Sequence, residues 1–336
     1  MNIKNIEQQL LDAIKKSNFN YFKNDVIFFL KNIGESAPLT KLLLDNYLSF
    51  QTSYLQSENK ILTSVIIPCH NYGLYLRDAV LSVLHQTFPY FEIIIVNDGS
   101  EDNSHSVAIK ILSDFPDYHI SYIKQPHSGI VQPRNRGGGM ARGKYILPLD
   151  ADDMIAPQFL EKTVNFLTDR PDLGYVSTKA LFFGDVNKIW PRNNFDSRTL
   201  FITNQQTNTT LYRKEMWEDI GGYDERMIHG YMDWEFWIRA TKCGWIGEQL
   251  EEPLFFYRRK SNSVVMNAKQ KDIHIKTQIM KLHPEIYNVS ALTDNDERLT
   301  KKNFIHPDFL RNDLKITRKY AKPDTLSATN FVNPKT

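Results

Sequence analysis

Cysteine is scarce in this chain: Cys69 and Cys243 are the two present among 336 residues. Thiols so far apart in sequence make neither a disulfide framework nor a zinc spacing, so a reducing, cytoplasmic setting is expected. Long apolar runs are lacking too. Stretches such as residues 26–30 fall well short of the ~18 apolar residues of a membrane span. The N-terminal residues are polar and charged rather than signal-peptide-like. Nor does charge of one sign dominate: 41 Lys and Arg face 39 Asp and Glu, for a formal net charge of +2. That balance speaks against nucleic acid as a partner. No internal repeat or low-complexity tract occurs. What is there suits folding: 41% hydrophobic and 12% aromatic residues provide a substantial core. The length fits one large domain, alone or with additions.

Periodicity divides the chain. In residues 1–60, Ile6, Leu10, Leu11 and Ile14 recur at helical spacing, as do Leu42, Leu43 and Leu48, so a helical N-terminal extension is expected. From residue 63 the pattern becomes strand and helix in turn. Strands are expected at 63–67, 91–96, 120–124 and 144–149, and helices at 74–85, 107–112 and 130–141. Continuous apolar strands separated by such helices indicate an α/β fold with a mostly parallel sheet and helices on both faces. The regularity then loosens. A helix at 159–167, a short strand at 175–177, an Asn-, Asp- and Arg-rich loop at 184–208 and a turn at 221–225 are expected. A helix at 232–243 and strands at 245–248 and 254–258 follow. Residues 264–336 read as amphipathic helices with a polar tail. Within them, 298–320 hold seven Lys and Arg against two Asp, a solvated helix face or a weak contact with an anionic membrane or a partner.

The chemistry-bearing residues cluster at strand ends. Leu147-Pro148-Leu149-Asp150-Ala151-Asp152-Asp153 sets two carboxylates one residue apart just past an apolar strand, where open α/β sheets bind ligands. An Asp-x-Asp pair there can hold a hard divalent cation, and it can equally be a turn. The first strand ends in Pro68-Cys69-His70-Asn71-Tyr72, where Asn71 can bond backbone or a ligand edge. The second ends in Asn97-Asp98-Gly99-Ser100-Glu101-Asp102. Ser100 or Asp102 can cap the next helix, and Asp98 would face the crevice. Arg134-Asn135-Arg136-Gly137, early in a helix, offers a guanidinium for a diphosphate or a plain surface helix.

Taken in order, Ser64 to Asn71, Val96 to Ser104, Arg134-Asn135 and Leu149 to Asp153 resemble the inverting family 2 glycosyltransferases of GT-A (Rossmann-like) fold. Gly221-Gly222-Tyr223-Asp224-Glu225, followed by Tyr231-Met232-Asp233-Trp234-Glu235-Phe236-Trp237, resembles that family's acceptor-side motif. The resemblance covers roughly residues 60–265. It implies a glycosyltransferase domain over 61–263, with a nucleotide-binding half at 61–153 and an acceptor half at 154–263. Helical additions at 1–60 and 264–336 flank it. It implies that Asp98 contacts the base, usually uracil, and that Pro68, Asn71 and Tyr72 line its pocket, with Ser100, Arg134 and Ala151 on the donor side. Asp150 and Asp152 would meet ribose and a metal-bound diphosphate, Asp152 being the more direct ligand of Mn²⁺ or Mg²⁺. Asp233 would be the catalytic base.

Two positions depart from that pattern. Met232 stands where a glutamate usually precedes the base, so Glu235 is a candidate to share its work. Lys260 stands where a histidine often follows Tyr-Arg; a lysine can neutralise a diphosphate but is a poor metal ligand while protonated. Trp234 and His229 are further acceptor-side candidates, and Trp237 is expected in the core. The implied reaction moves a sugar from a nucleotide-diphospho-sugar, UDP-linked by expectation, to a glycan, lipid-linked or protein acceptor by single displacement. A nucleotide-sugar-binding protein on a decayed scaffold is the alternative. A nucleotidyltransferase would show a Gly-rich basic loop after the first strand, which is absent here. Processive synthases carry membrane spans. The terminal additions could pair two copies in a homodimer.

Overall fold

A computed structural model describes residues 61–190, 197–260 and 271–287. The expected extension at 1–60, the basic segment at 298–320 and the C-terminal tail lie outside the described residues. Aliphatic runs make the first strands. β1 (Thr63–Cys69) and β2 (Phe91–Asp98) are buried along their whole length. β3 (Ile120–Gln125) and β4 (Tyr145–Pro148) flank them. All three pairings are parallel, with Thr63 opposite Phe91 and Tyr145, and Ile93 opposite Ile120. The crossovers are α1 (Gly73–Leu84), α2 (Ser104–Asp114) and α3 (Gln132–Met140).

Because successive strand side chains point to opposite faces, each strand feeds two layers. Val65, Ile67, Ile93 and Ile95 pack with Leu76, Val80, Ala108 and Ile111 on one face. Ile66, Ile94, Val96 and Ile146 pack with Val131 and Ala141 on the other. Helix α4 (Phe159–Asp169) joins the first layer. Helices α5 (Lys214–Asp219), α6 (Met232–Lys242) and α7 (Asp272–Leu282) contribute Met216, Phe236, Trp237, Ile275 and Ile279 to the second.

Beyond β4 the sheet is mixed rather than parallel. β8 (Leu211–Arg213) runs antiparallel to β4 and to β6 (Tyr175–Gly184). β9 (Gly247–Arg259) lies parallel to β6 and antiparallel to β5 (Met154–Ile155), and β7 (Lys188–Ile189) closes on β6. Among the described residues this is one nine-stranded sheet, ordered β3-β2-β1-β4-β8-β6-β9-β5 with β7 beside β6. Its strands come from both sides of residue 153, with β1 to β4 before it and β5 to β9 after it.

Several expected boundaries move. β6 runs on through Ser177, Thr178 and Lys179, whose polarity hides a strand that is buried along most of its length. The expected strands at 245–248 and 254–258 are a single strand. Its register slips between Thr178 and Lys179, passing over Glu251 and Glu252, and again between Lys179 and Ala180, passing over Leu254; Pro253, opposite Lys179, lacks a ladder N–H. Among the described residues no helix is long and apolar enough to cross a membrane.

The close fit of α3 on the sheet depends on Gly137, where a Cβ would collide with Cγ2 of Ile66. Alanine ordinarily favours a helix over glycine by about 1 kcal/mol. Here overpacking, which costs about 1–3 kcal/mol, opposes that gain, and the β-branched Ile66 in a central strand has little freedom to turn away. Gly137→Ala is expected to lower stability by about 1 kcal/mol or more in urea denaturation.

Candidate active site

β1, β2 and β4 end at the same edge of the sheet, and β2 and β4 lie on opposite sides of β1. That reversal of strand order opens a crevice beyond the strand ends. A cavity of about 900 Å³ occupies it. Pro68, Asn71, Tyr72, Asp98, Arg134, Asp150, Ala151 and Asp152 line the cavity, as do Asp233 and Trp234. Ser100, Lys260, Glu235 and His229 are not among its lining residues.

The ends of β1 and β2 are stitched together behind the cavity wall. Asn71 adopts a left-handed φ of 58°. Its N–H donates to Ser100 Oγ at 2.9 Å, and its Oδ1 accepts the Glu101 N–H at 2.8 Å. Ser100 therefore acts from the second row, by fixing Asn71. Asp98 is 1% exposed. Its carboxylate accepts Gln125 Nε2 at 2.7 Å, Ser128 Oγ at 2.6 Å and the Gly129 N–H at 3.0 Å. Burial opposes its charge, yet these bonds hold its carboxyl below the usual range. It pins the 125–129 loop over the cavity. His70 and His127 stack beside it with centroids 4.0 Å apart, and a ligand atom from each of His70, Asp98 and His127 falls within 4.8 Å of the others. His70 Nδ1 donates to the Asp98 carbonyl at 2.7 Å, and His127 Nδ1 lies 2.9 Å from Asp98 Oδ2. The coordinating capacity of that trio is therefore largely committed within the protein.

The β4 end is crowded with charge. A turn closed by the Asp153 N–H on the Asp150 carbonyl, at 2.9 Å, presents the carboxylates. Asp150 pairs with the Arg134 guanidinium and accepts Asn208 Nδ2 at 3.2 Å. Asp152 meets Lys260 Nζ at 2.7 Å, while that ammonium sits 4.1 Å and 4.5 Å from the ring centroids of Tyr72 and Tyr75. Asp153, 1% exposed, accepts the Arg258 N–H at 2.8 Å. Burial pushes the Asp152 carboxyl up despite Lys260, and burial with the charges of Asp152 and Asp150 pushes Asp153 up further. Asp150 and Asp152 offer hard oxygen donors to the cavity, and this donor set fits a divalent cation.

Helix α6 carries the other carboxylate. It starts after Tyr231, a left-handed residue with φ of 54°, and places Asp233 in its first turn. Asn204 Nδ2 donates to Asp233 Oδ2 at 2.8 Å. Trp234 donates Nε1 to the Leu200 carbonyl at 2.6 Å and is 5% exposed, so much of its ring is core. Glu235 corrects the expectation that it shares the work of Asp233. Two positions turn an α-helix by about 200°. Glu235 accordingly faces the interior, 0% exposed, and accepts Arg239 Nε at 2.6 Å and Nη2 at 2.8 Å, with His283 Nε2 at 3.2 Å. His229 also stands away from the cavity, 3.4 Å from Lys271 Nζ and beside His274. Met232, standing where a glutamate usually precedes the base, packs into the apolar layer and lines the cavity.

Sequence reading gave Asn135 no role of its own beside Arg134, and it missed Asn204 and Asn208. The last two fall in or beside a stretch read as plain loop, where their abundance was the one signal available.

Residues 64–226 match the sequence family described as Glycosyl transferase family 2. This segment is thus similar to family 2 glycosyltransferases. The chain is 41% identical over 137 residues to the uncharacterized glycosyltransferase YibD of Escherichia coli (strain K12), covering 40% of this chain and 38% of YibD. TuaG of Bacillus subtilis (strain 168), a glycosyltransferase named for teichuronic acid biosynthesis, is 28% identical over 232 residues, covering 67% of this chain and 90% of TuaG. The crystal structure of Staphylococcus aureus TarS 1–349 in complex with UDP-GlcNAc superposes with a TM-score of 0.56 at 18% identity, covering 70% of this chain and 68% of that one. This likeness establishes the GT-A fold.

The inward pose of Glu235 has a measurable consequence. Removing one partner of a buried, hydrogen-bonded charge pair costs about 3 kcal/mol or more. Glu235→Ala is expected to lose stability on that scale in chemical denaturation, with nucleotide binding by the folded fraction unchanged.

Proposed function

We propose that this chain transfers a sugar from a nucleotide-diphospho-sugar, with UDP as the nucleotide, to a hydroxyl of a glycan or glycoconjugate, inverting the anomeric centre. The observation that carries this reading is that one loop, residues 203–209, touches both working carboxylates across a single cavity: Asn208 bonds Asp150 and Asn204 bonds Asp233. A single in-line displacement needs a base on one side of the anomeric carbon and positive charge on the other. Asp233 takes the acceptor proton. Arg134 and Lys260, each long enough to leave its carboxylate for a phosphate oxygen, neutralise the departing diphosphate. Asp98, His70 and His127 frame the base pocket, with Asn71 and Tyr72 on its other wall.

Asp152 and Asp150 would hold Mn²⁺ or Mg²⁺, a Lewis acid that steadies the leaving diphosphate when bound. The oxygens of Asp98 are already occupied by the 125–129 loop, so the His70, Asp98 and His127 trio is the weaker candidate for that ion. Two cysteines without a disulfide, Cys69 and Cys243, suit a reducing, cytoplasmic setting. The domain is proposed to span 61–263, with the terminal segments as additions that could pair two copies.

The test is turnover and binding across UDP-, GDP-, CMP- and dTDP-sugars with Mn²⁺, Mg²⁺ or EDTA. Asp233→Asn is expected to lower kcat by about a hundredfold or more, leaving donor affinity within about twofold. Asp152→Ala should lose metal-stimulated turnover. Tight donor binding with no turnover, to water or to any acceptor tried, would favour a nucleotide-sugar-binding protein on the same scaffold. No binding to any donor would end the transferase reading.

A further inference from the structure

We infer that Asn204 is a positioning residue for Asp233, setting both the direction and the proton affinity of its carboxylate. The inference rests on the reading of Asp233 as the base. Both ends of the Asn204 amide are used. Its Oδ1 accepts the Gln206 N–H at 3.0 Å, so the amide nitrogen is the end left to face α6, and Nδ2 donates to Asp233 Oδ2 at 2.8 Å. A flipped amide would lose both bonds and set two oxygens against each other.

The segment bearing Asn204 is itself held to α6 and to the chain beyond α7. The 3₁₀ turn Ser197–Phe201 receives Trp234 Nε1 on the Leu200 carbonyl at 2.6 Å and the Tyr287 hydroxyl on the Phe201 carbonyl at 2.8 Å. The Thr203 N–H then returns to the Thr199 carbonyl at 2.9 Å. Downstream, Thr210 Oγ1 donates to the Thr207 carbonyl at 2.8 Å. The amide therefore reaches Asp233 from a segment braced by the protein's own contacts.

An amide N–H donated to a carboxylate stabilises the charged form and so lowers its proton affinity. A base must be unprotonated to act, so activity falls as pH drops through its pKa, and loss of the amide moves that acid limb to higher pH. The other groups facing this part of the cavity are Tyr223, Tyr231 from the start of α6, Asp272 and Lys276 from α7, and Asp150 with Arg134 on the donor side. Each keeps its own partner when Asn204 alone is changed.

Asn204→Ala deletes the amide. Asn204→Asp keeps an acceptor for the Gln206 N–H but sets a carboxylate against Asp233. The first readout needs no substrate: ¹³C NMR titration of the aspartate carboxyls, with the Asp233 signal identified by its loss in Asp233→Asn. The midpoint for Asp233 is expected to rise by about one pH unit in Asn204→Ala and by more in Asn204→Asp. The second readout is the pH profile of nucleotide release from whichever donor of the UDP-, GDP-, CMP- and dTDP-sugar panel turns over. Its acid limb should follow the same shifts, with kcat down about tenfold in Asn204→Ala and donor KM within about twofold. An unmoved midpoint and acid limb in both variants, with turnover still lost in Asp233→Asn, would overturn the role of Asn204 alone. Full activity in Asp233→Asn would instead remove the base assignment, and this inference with it.

Discussion

Burial of negative charge where β4 ends is the constraint that the rest of the architecture answers. Asp150, Asp152 and Asp153 fall within one turn, and Asp78 of α1 approaches from the first helical layer. Charges taken out of water are tolerated when paired and are costly when left alone. Each counter-charge comes from a different place. Arg134 arrives from α3, and Arg258 and Lys260 arrive from the end of β9. Arg258 donates Nε to the Asp152 carbonyl at 2.8 Å, stands 3.4 Å from Asp78, and is clamped between the rings of Tyr75 at 4.6 Å and Phe183 at 4.4 Å. Docking of β9 beside β5 and β6 is thus tied to compensation of the β4 carboxylates.

The gradation of exposure within that cluster separates structure from chemistry. Asp153 is closed off and works as an anchor for the β9 backbone. The side chains of Asp150 and Asp152 retain 33% and 16% exposure toward the cavity, and their partners are long, single-point cations. A closed carboxylate bonded to a backbone N–H cannot change partners cheaply; an open one paired with a lysine can. The turn therefore yields two partly exposed acids and one closed, structural acid from three nearly consecutive aspartates.

Legibility followed burial. β1, β2 and β4 are buried on both faces, so they read as unbroken apolar runs, and their ends carry the residues that reach the cavity. β8 and β5 are too short to show a period, and β6 carries Ser177, Thr178 and Lys179 in its middle, so the mixed half of the sheet was largely invisible. The acceptor side shows the same limit. Adjacency in sequence grouped Glu235 with Asp233, but helical rotation sends them to opposite sides of α6. Asn204 and Asn208 gave no signal of their own, because their partners lie 29 and 58 positions away. Only the completed sheet brings that loop between them.

That long-range closure has a second fastening, and it explains why two motifs far apart in sequence belong together. Asn135, next to Arg134 in α3, donates Nδ2 to the Tyr223 carbonyl at 2.8 Å and accepts the Tyr223 N–H at 2.8 Å. Gly222 makes room for this clasp: it adopts φ of 73°, and a Cβ there would come within 2.8 Å of Asn135 Oδ1. Tyr223 in turn stacks on Phe236, one face of α6, with ring centroids 4.5 Å apart. The helix that carries Asp233 is therefore registered against the helix that carries Arg134 through a two-bond amide clasp and one aromatic contact. A displacement of about 1 Å between reacting groups is enough to cost an enzyme much of its rate. The Arg134-Asn135 pair thus places one residue on the cavity wall and, with the other, sets the distance from that wall to Asp233.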